Sequence, residues 1–308
     1  MKKSLFHVVT LVALTIGVIL TLTHSTNYAA GPTTQQQIDA LNQRVTALEQ
    51  QVSSLQTTIS SLQDFKQKVK DSSVWALRKN LVVDSTSYGP RAVLTGINVQ
   101  IVNGAGSTGS INGLGNLIVG YDEPREQANS FSDVYSCSTG LYTTQTDCES
   151  HGAIWAITHK SGSHNLIVGP YHNYSQAAGV TFGYANTVNG ANGVAAGGYF
   201  NKASGSGSSV MGGLLNVASG TEDVILGGWS NTTKGAAGGI LAGYNNTVAY
   251  DWGAIVGGGF GTTSGEAATV TGGFGNTASG RWSNVSGGLN RTSSGDWNWT
   301  AGSLTQPQ

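Results

Sequence analysis

Three hydrophobic patterns follow one another along the chain, each with its own period. The first is a continuous run. After Met1-Lys2-Lys3, residues 5–22 are almost wholly apolar and carry no charge. A basic start, an apolar core of this length and the small pair Ala29-Ala30 predict a secretory signal over 1–30. An uncleaved anchor is the alternative, because about 18 apolar residues can just span a bilayer. The second pattern is spaced three and four. Ile38, Val45, Val52 and Ile59 fall at position a, and Leu41, Leu48, Leu55 and Leu62 at position d, before Lys66 breaks the seam. Four sustained heptads predict a coiled-coil stalk over 31–71. Short apolar runs come next, at 81–83, 92–94 and 97–102. Gly89-Pro90 and the glycines from 104 to 109 punctuate this segment. Residues 72–110 are therefore expected to be a strand-built connector that caps the C-terminal half.

The third pattern fills that half and repeats every 15 residues. Glycine stands at 183, 198, 213, 228, 243, 258, 273 and 288. Three places earlier lie Val180, Ala195, Val210, Ile225, Ile240, Ile255, Val270 and Val285. Three places later lie Asn186, Asn201, Asn216, Asn231, Asn246, a gap at Gly261, and Asn276. Seven places later runs a second glycine column, Gly190 to Gly295, interrupted by Tyr250. Fifteen residues are too few for two helices and a turn, but suit one coil of two short strands. The Val/Ile column is expected to fill the interior, the glycine columns to supply left-handed corners, and the Asn column to stack as a ladder. At a strand spacing of about 4.8 Å, eight coils make a body roughly 38 Å long.

Two resemblances sharpen this picture. Within the stalk, Arg44-Val45-Thr46-Ala47-Leu48-Glu49 resembles the short trimerisation motif of coiled coils. Arg44 falls at g and can pair with Glu49 at the following e of a neighbouring parallel chain. Branched a with Leu at d favours two strands; the motif and the thin roll downstream favour three. Units such as Ser209-Val210-Met211-Gly212-Gly213-Leu214-Leu215-Asn216-Val217-Ala218-Ser219-Gly220 are similar to the head repeats of trimeric autotransporter adhesins of the YadA-like kind. So are Asn116-Leu117-Ile118-Val119-Gly120 and Asn165-Leu166-Ile167-Val168-Gly169. The resemblance covers about 111–120, the first head coil, and 163–304, the head proper. It implies a mainly β fold, a left-handed parallel β-roll in a homotrimer, exposed at a bacterial surface and adhering to host cells, matrix or glycans. The order of parts departs from that family. The coiled coil comes first, and the polar C-terminus is not expected to form a barrel anchor. The alternative is a structural subunit of a surface appendage or extracellular matrix.

Composition narrows the chemistry. The 308 residues include 45 glycines and 5 prolines, which excludes collagen, and only 10% are charged. Fifteen basic against 16 acidic residues leave no surplus to neutralise phosphates, so no nucleic-acid partner is expected. Membrane contact is expected only through an uncleaved N-terminus. Cys137 and Cys148 are the sole thiols, and in an exported chain they are expected to pair. They lie in an insertion at 121–162 that should loop outward and offer a recognition element. His151, His159, His164 and His172 have no zinc-like spacing, and no nucleophile, base or phosphate loop can be assembled. Neither an enzyme nor a cofactor is expected. Trp252, Trp282 and Trp297 share one column and are the candidate ligand-binding residues, because exposed indoles can stack on sugar rings. Thr232, Thr247, Thr262, Thr277 and Thr292 share another, in a segment that reads as a turn.

Overall fold

The structure is a computed structural model that describes residues 33–125, 135–302 and 304–306. The signal expected over 1–30 lies outside them. The chain divides into two units, residues 1–98 and 99–308.

In the first unit the heptad segment is a single helix, α1 (Thr34–Asp71, 38 residues). Its start is a reciprocal capping box: the Thr33 hydroxyl accepts from the Gln36 amide, and the Gln36 side chain accepts from the Thr33 amide. No residue of α1 is buried, and the a and d side chains from Ile38 to Leu62 stand 47–63% exposed. That stripe is left uncovered by the described residues. A hairpin comes next, β1 (Leu81–Thr86) against β2 (Gly89–Leu94), with Leu81 opposite Leu94 and Thr86 opposite Gly89. The strand expected at 97–102 does not form, because the hairpin pairs only with itself and offers this segment no ladder.

The second unit is a parallel solenoid. Its long sheet has twelve strands among the described residues, from Leu117–Val119 and Leu166–Val168 to Trp299–Ala301 and the antiparallel Leu304–Gln306. Its short sheet has nine, from Asn173–Tyr174 to Thr292–Ser293. Each full coil contributes one strand to each sheet. The two Asn-Leu-Ile-Val-Gly copies are neighbours, Ile118 opposite Ile167.

The interior is two facing columns. Ile167, Thr181, Ala195, Val210, Ile225, Ile240, Ile255, Val270 and Val285 line the long sheet, each at most 1% exposed. Val188, Ala203, Ala218, Thr233, Val248, Thr263 and Ala278 face them from the short sheet. Burying each Ile or Val side chain stabilises by about 1.5–3 kcal/mol. The sequence period misassigns one member. Val180 pairs with Val194 and Thr181 with Ala195, a step of 14 rather than 15. The extra residue enters afterwards, since Tyr184 lies opposite Tyr199. A one-residue slip reverses the faces of a strand, so Thr181 points inward and Val180 outward.

The two glycine columns serve different needs. The first, Gly183 to Gly288, is left-handed as expected, with φ between 69° and 109°. The second is not left-handed; it is where successive coils come closest. A Cβ on Gly205 would lie 1.8 Å from the Gly220 carbonyl oxygen, and one on Gly220 1.6 Å from that of Gly235. Two further left-handed corners fall to ordinary residues. One column includes Ala185, Phe200, Leu215 and Ser230, the other Glu222, Ala237, Trp252, Ala267, Trp282 and Trp297.

The Asn column forms a ladder as expected, but its members are not left-handed; the residue before each one usually is. The Asn186 Oδ1 accepts from the Asn201 amide at 2.8 Å, and the pattern continues through Asn216, Asn231 and Asn246 to the Gly261 amide. These five Asn are fully buried, so the bonds stand in a low dielectric where an unmade one is costly. Gly261 interrupts the ladder at a position that needs no positive φ. A Cβ there would first meet the movable Asn246 Oδ1, at 2.9 Å. Gly261→Asn is expected to raise stability by about 1–2 kcal/mol, through restored bonds and a stiffer unfolded chain. Thermal unfolding checks this; a lower melting temperature would contradict it.

Candidate functional site

The roll has two unlike outer faces. On the short sheet Thr232, Thr247, Thr262, Thr277 and Thr292 stand in register on consecutive strands; this segment is strand, not the turn its composition suggests. Ser264, Ser279 and Ser294 run beside them. Along the long sheet, one outer column is apolar over four consecutive coils. Met211, Leu226, Leu241 and Val256 form a column 41–49% exposed. At the adjoining corner Leu214, Trp229, Tyr244, Gly259, Phe274 and Leu289 bridge one another in sequence. The Trp229 and Tyr244 rings stack at 5.7 Å, and Phe260 packs edge-on to both Tyr244 and Phe274. Contiguous apolar surface of this extent marks a contact face. It is absent from the expectations drawn from sequence, although Met211, Leu226, Leu241 and Val256 recur at the same 15-residue spacing.

A third surface is the ridge of left-handed corners. Trp252, Trp282 and Trp297 occupy it at φ 57°, 61° and 64°, each about half exposed. Trp282 and Trp297 stack with ring centroids 5.5 Å apart and planes within 3°. Trp252 lies two coils from Trp282, with Ala267 between them in the same column. Beside the indoles runs a charged column: Asp251, Glu266, Arg281 and Asp296. Asp251 and Asp296 each accept from a backbone amide one coil away, and Arg281 stands 3.9 Å from Glu266. Trp299, the neighbour of this group in sequence, instead lies on the last parallel strand of the long sheet and donates to the Ser286 hydroxyl.

The described residues of the insertion, 121–125 and 135–162, do not project freely. Its disulfide is formed, Cys137 to Cys148 with Cα atoms 5.6 Å apart, and both residues are fully buried. Closing this short loop stabilises by about 2–3 kcal/mol. The Cys137 strand pairs with Trp155, and a short helix, Gln145–Ser150, carries Cys148. This body lies on the first strands of the short sheet, so the outward-facing Asn173 and Thr187 are buried. Residues 157–162 complete the sheet's open edge: the Tyr174 amide donates to the His159 carbonyl, and the Gly162 amide to that of Tyr174. An unpaired first strand would otherwise offer a template for aggregation. The described parts of the insertion thus cap the short sheet, while Asn103 and Thr108, within the segment expected to cap the roll, bond to His164 at its start.

Its polar groups are structural. Arg125 is buried and donates to the carbonyls of Tyr171, Ala185 and Asn186; burial lowers its guanidinium to about 10. Asp122 joins the cap to the roll, pairing with Lys160 at 2.6 Å and accepting from the Tyr174 hydroxyl at 2.8 Å. Burial and that carboxylate raise the Tyr174 phenol. The histidines do not converge. His159 donates to the Ser136 carbonyl, His172 to that of Val168, and His164 to that of Thr108. No group of three or more His, Cys, Asp or Glu placed to hold a metal lies among the described residues.

Asp223 is the one fully buried carboxylate among the described residues. It accepts from the Gly220 amide at 2.7 Å and the Gly238 amide at 2.8 Å, yet burial raises its pKa. Its folded state therefore holds a proton more tightly than the unfolded chain, whose carboxyl titrates at about 4. Stability from this group is fullest below that value and declines as pH rises above it. Ser208 and Ser283 occupy the same column. Relative to Asp223→Ser, the wild type is expected to lose stability between about pH 4 and neutrality. A difference flat across that range would remove the assignment.

No protein-family model matches the chain, and no curated protein matches it either.

Proposed function

We propose that this chain is an exported, non-enzymatic surface protein that assembles as a homotrimer and binds cells, matrix or glycans through its roll. The winding would be left-handed, as in the adhesin heads its repeats resemble. The observation that carries this reading is a pair of unburied apolar seams. One is the a/d stripe of α1, and the other is the Met211–Leu226–Leu241–Val256 face with its aromatic corner. Each is regular, and each lacks an occupant among the described residues. Identical copies in parallel register would cover both, because a repeated face matches its own copy under rotation.

The remaining surfaces then face solvent as the binding side: the hydroxyl ladder of the short sheet and the Trp252–Trp297 ridge. Light scattering on the intact exported protein is expected to give three chain masses. A monomer or dimer would overturn the trimer. Leu48→Lys combined with Leu55→Lys is expected to dissociate the stalk, since three lysines, one from each chain, would meet in each of two layers of the seam. Binding of the assembled protein to cells, to matrix-coated surfaces and to immobilised glycans tests the adhesive part. Absence of binding to all three would leave the structural-subunit alternative.

A further inference from the structure

We infer that Trp252 and Trp282 form a slot over Ala267 that takes one pyranose ring of a β-linked glycan. This deepens the glycan-binding part of the proposed function and rests on it. The left-handed column repeats by one uniform step. The amides of Trp252, Ala267, Trp282 and Trp297 each donate to the carbonyl of the residue preceding the previous member, at 2.8–2.9 Å. All four have φ between 54° and 64°. Where two consecutive members are Trp, the rings stack in parallel, as Trp282 and Trp297 do. At Ala267 the ring is missing, although its backbone is in place.

Two steps of that stack, each 5.5 Å between ring centroids, set the Trp252 and Trp282 rings about 11 Å apart, which leaves a ring between them at the usual distance of about 4.5–7 Å from each. That is the thickness of one ring with an indole on either side. An equatorially substituted pyranose presents C–H bonds on both faces, and these are the positively polarised groups that an indole face attracts. Its hydroxyls lie around the rim, where Glu266, next to Ala267, would accept hydrogen bonds and Arg281, next to Trp282, would donate them. Both indoles are half exposed, so the slot opens to solvent.

The test titrates the intact assembled protein with cellotetraose, read by indole fluorescence. Ala267→Trp completes the column and keeps every existing contact. It is expected to weaken binding by about tenfold or more, the loss of stacking on two faces. Trp252→Ala and Trp282→Ala should each weaken it similarly. Trp297→Ala, outside the slot, should change it by less than about threefold, and Ala267→Gly should leave it unchanged. If Ala267→Trp binds as the wild type does while Trp252→Ala and Trp282→Ala fail, the slot is wrong and the ridge still binds glycan. If the wild type does not respond, or no Trp replacement matters, the slot and the glycan role of the ridge fall together.

Discussion

Gly220→Ala is expected to disrupt the stack between two coils and to cost more than about 3 kcal/mol, the upper end for an overpacked site. The added methyl would sit 1.6 Å from the Gly235 carbonyl oxygen and 2.6 Å from the Asp223 carboxylate. The first neighbour is backbone, in the turn that follows strand Thr232–Thr233, so it cannot rotate away as a side chain could. Gly227→Ala is the matched control. Nothing lies within 4 Å of its Cβ position and its φ is not left-handed. That change should be neutral or stabilise by about 0.4–1 kcal/mol through the unfolded chain. In a solenoid each coil contacts only its neighbours. The damage in Gly220→Ala should therefore be local, with amide exchange faster around 205–240 and little changed near 285. Equal stability of the two variants would show that coil spacing does not require glycine there.

The second large effect is expected at Asn231. Its side chain donates to the carbonyls of Gly227 at 3.1 Å and Gly243 at 2.9 Å, and accepts from the Asn246 amide at 3.1 Å. Asn231→Ala strands the Gly227 carbonyl and the Asn246 amide, and leaves the Gly243 carbonyl only the Trp229 amide, in a site with no solvent exposure. At about 1–3 kcal/mol for each unmade buried bond, partly relieved by relaxation, the loss should be about 3–5 kcal/mol. Asn231→Asp keeps the acceptor but sets a carboxylate against two carbonyl oxygens. It should be at least as damaging at neutral pH and should recover in part as the carboxyl protonates. Denaturant unfolding at two pH values distinguishes the cases. An Asn231→Ala protein as stable as the wild type would mean that water or relaxation replaces the ladder.

The regular parts of the molecule were legible because repetition amplifies weak signals. One apolar-x-x-Gly means little, but eight in register define a coil, and Ala195 to Val285 are the interior the period predicts. The heptads marked α1 for the same reason. Illegible parts are those where the period slips or a contact is non-local. Thr181 replaced Val180 inside because one coil is a residue short, a change of register no column count reveals at its edge. The cap at 121–162 depends on Arg125 and Asp122 reaching partners some 46 to 61 residues away. Spacing along the chain carries no record of such contacts.

The Trp column shows the division most plainly. Its 15-residue spacing placed Trp252, Trp282 and Trp297 on one corner. Only the structure separated a stacked pair from a lone ring, because stacking needs adjacent coils and Ala267 leaves one empty. By itself, then, the sequence determined the period, the parallel coil and the helix before it, since these rest on local geometry repeated many times. Tertiary structure alone decided which glycine column answers to backbone angle and which to space, which face is apolar, and what closes the open end. Those depend on how far apart successive coils stand, a distance set by all the coils packing together.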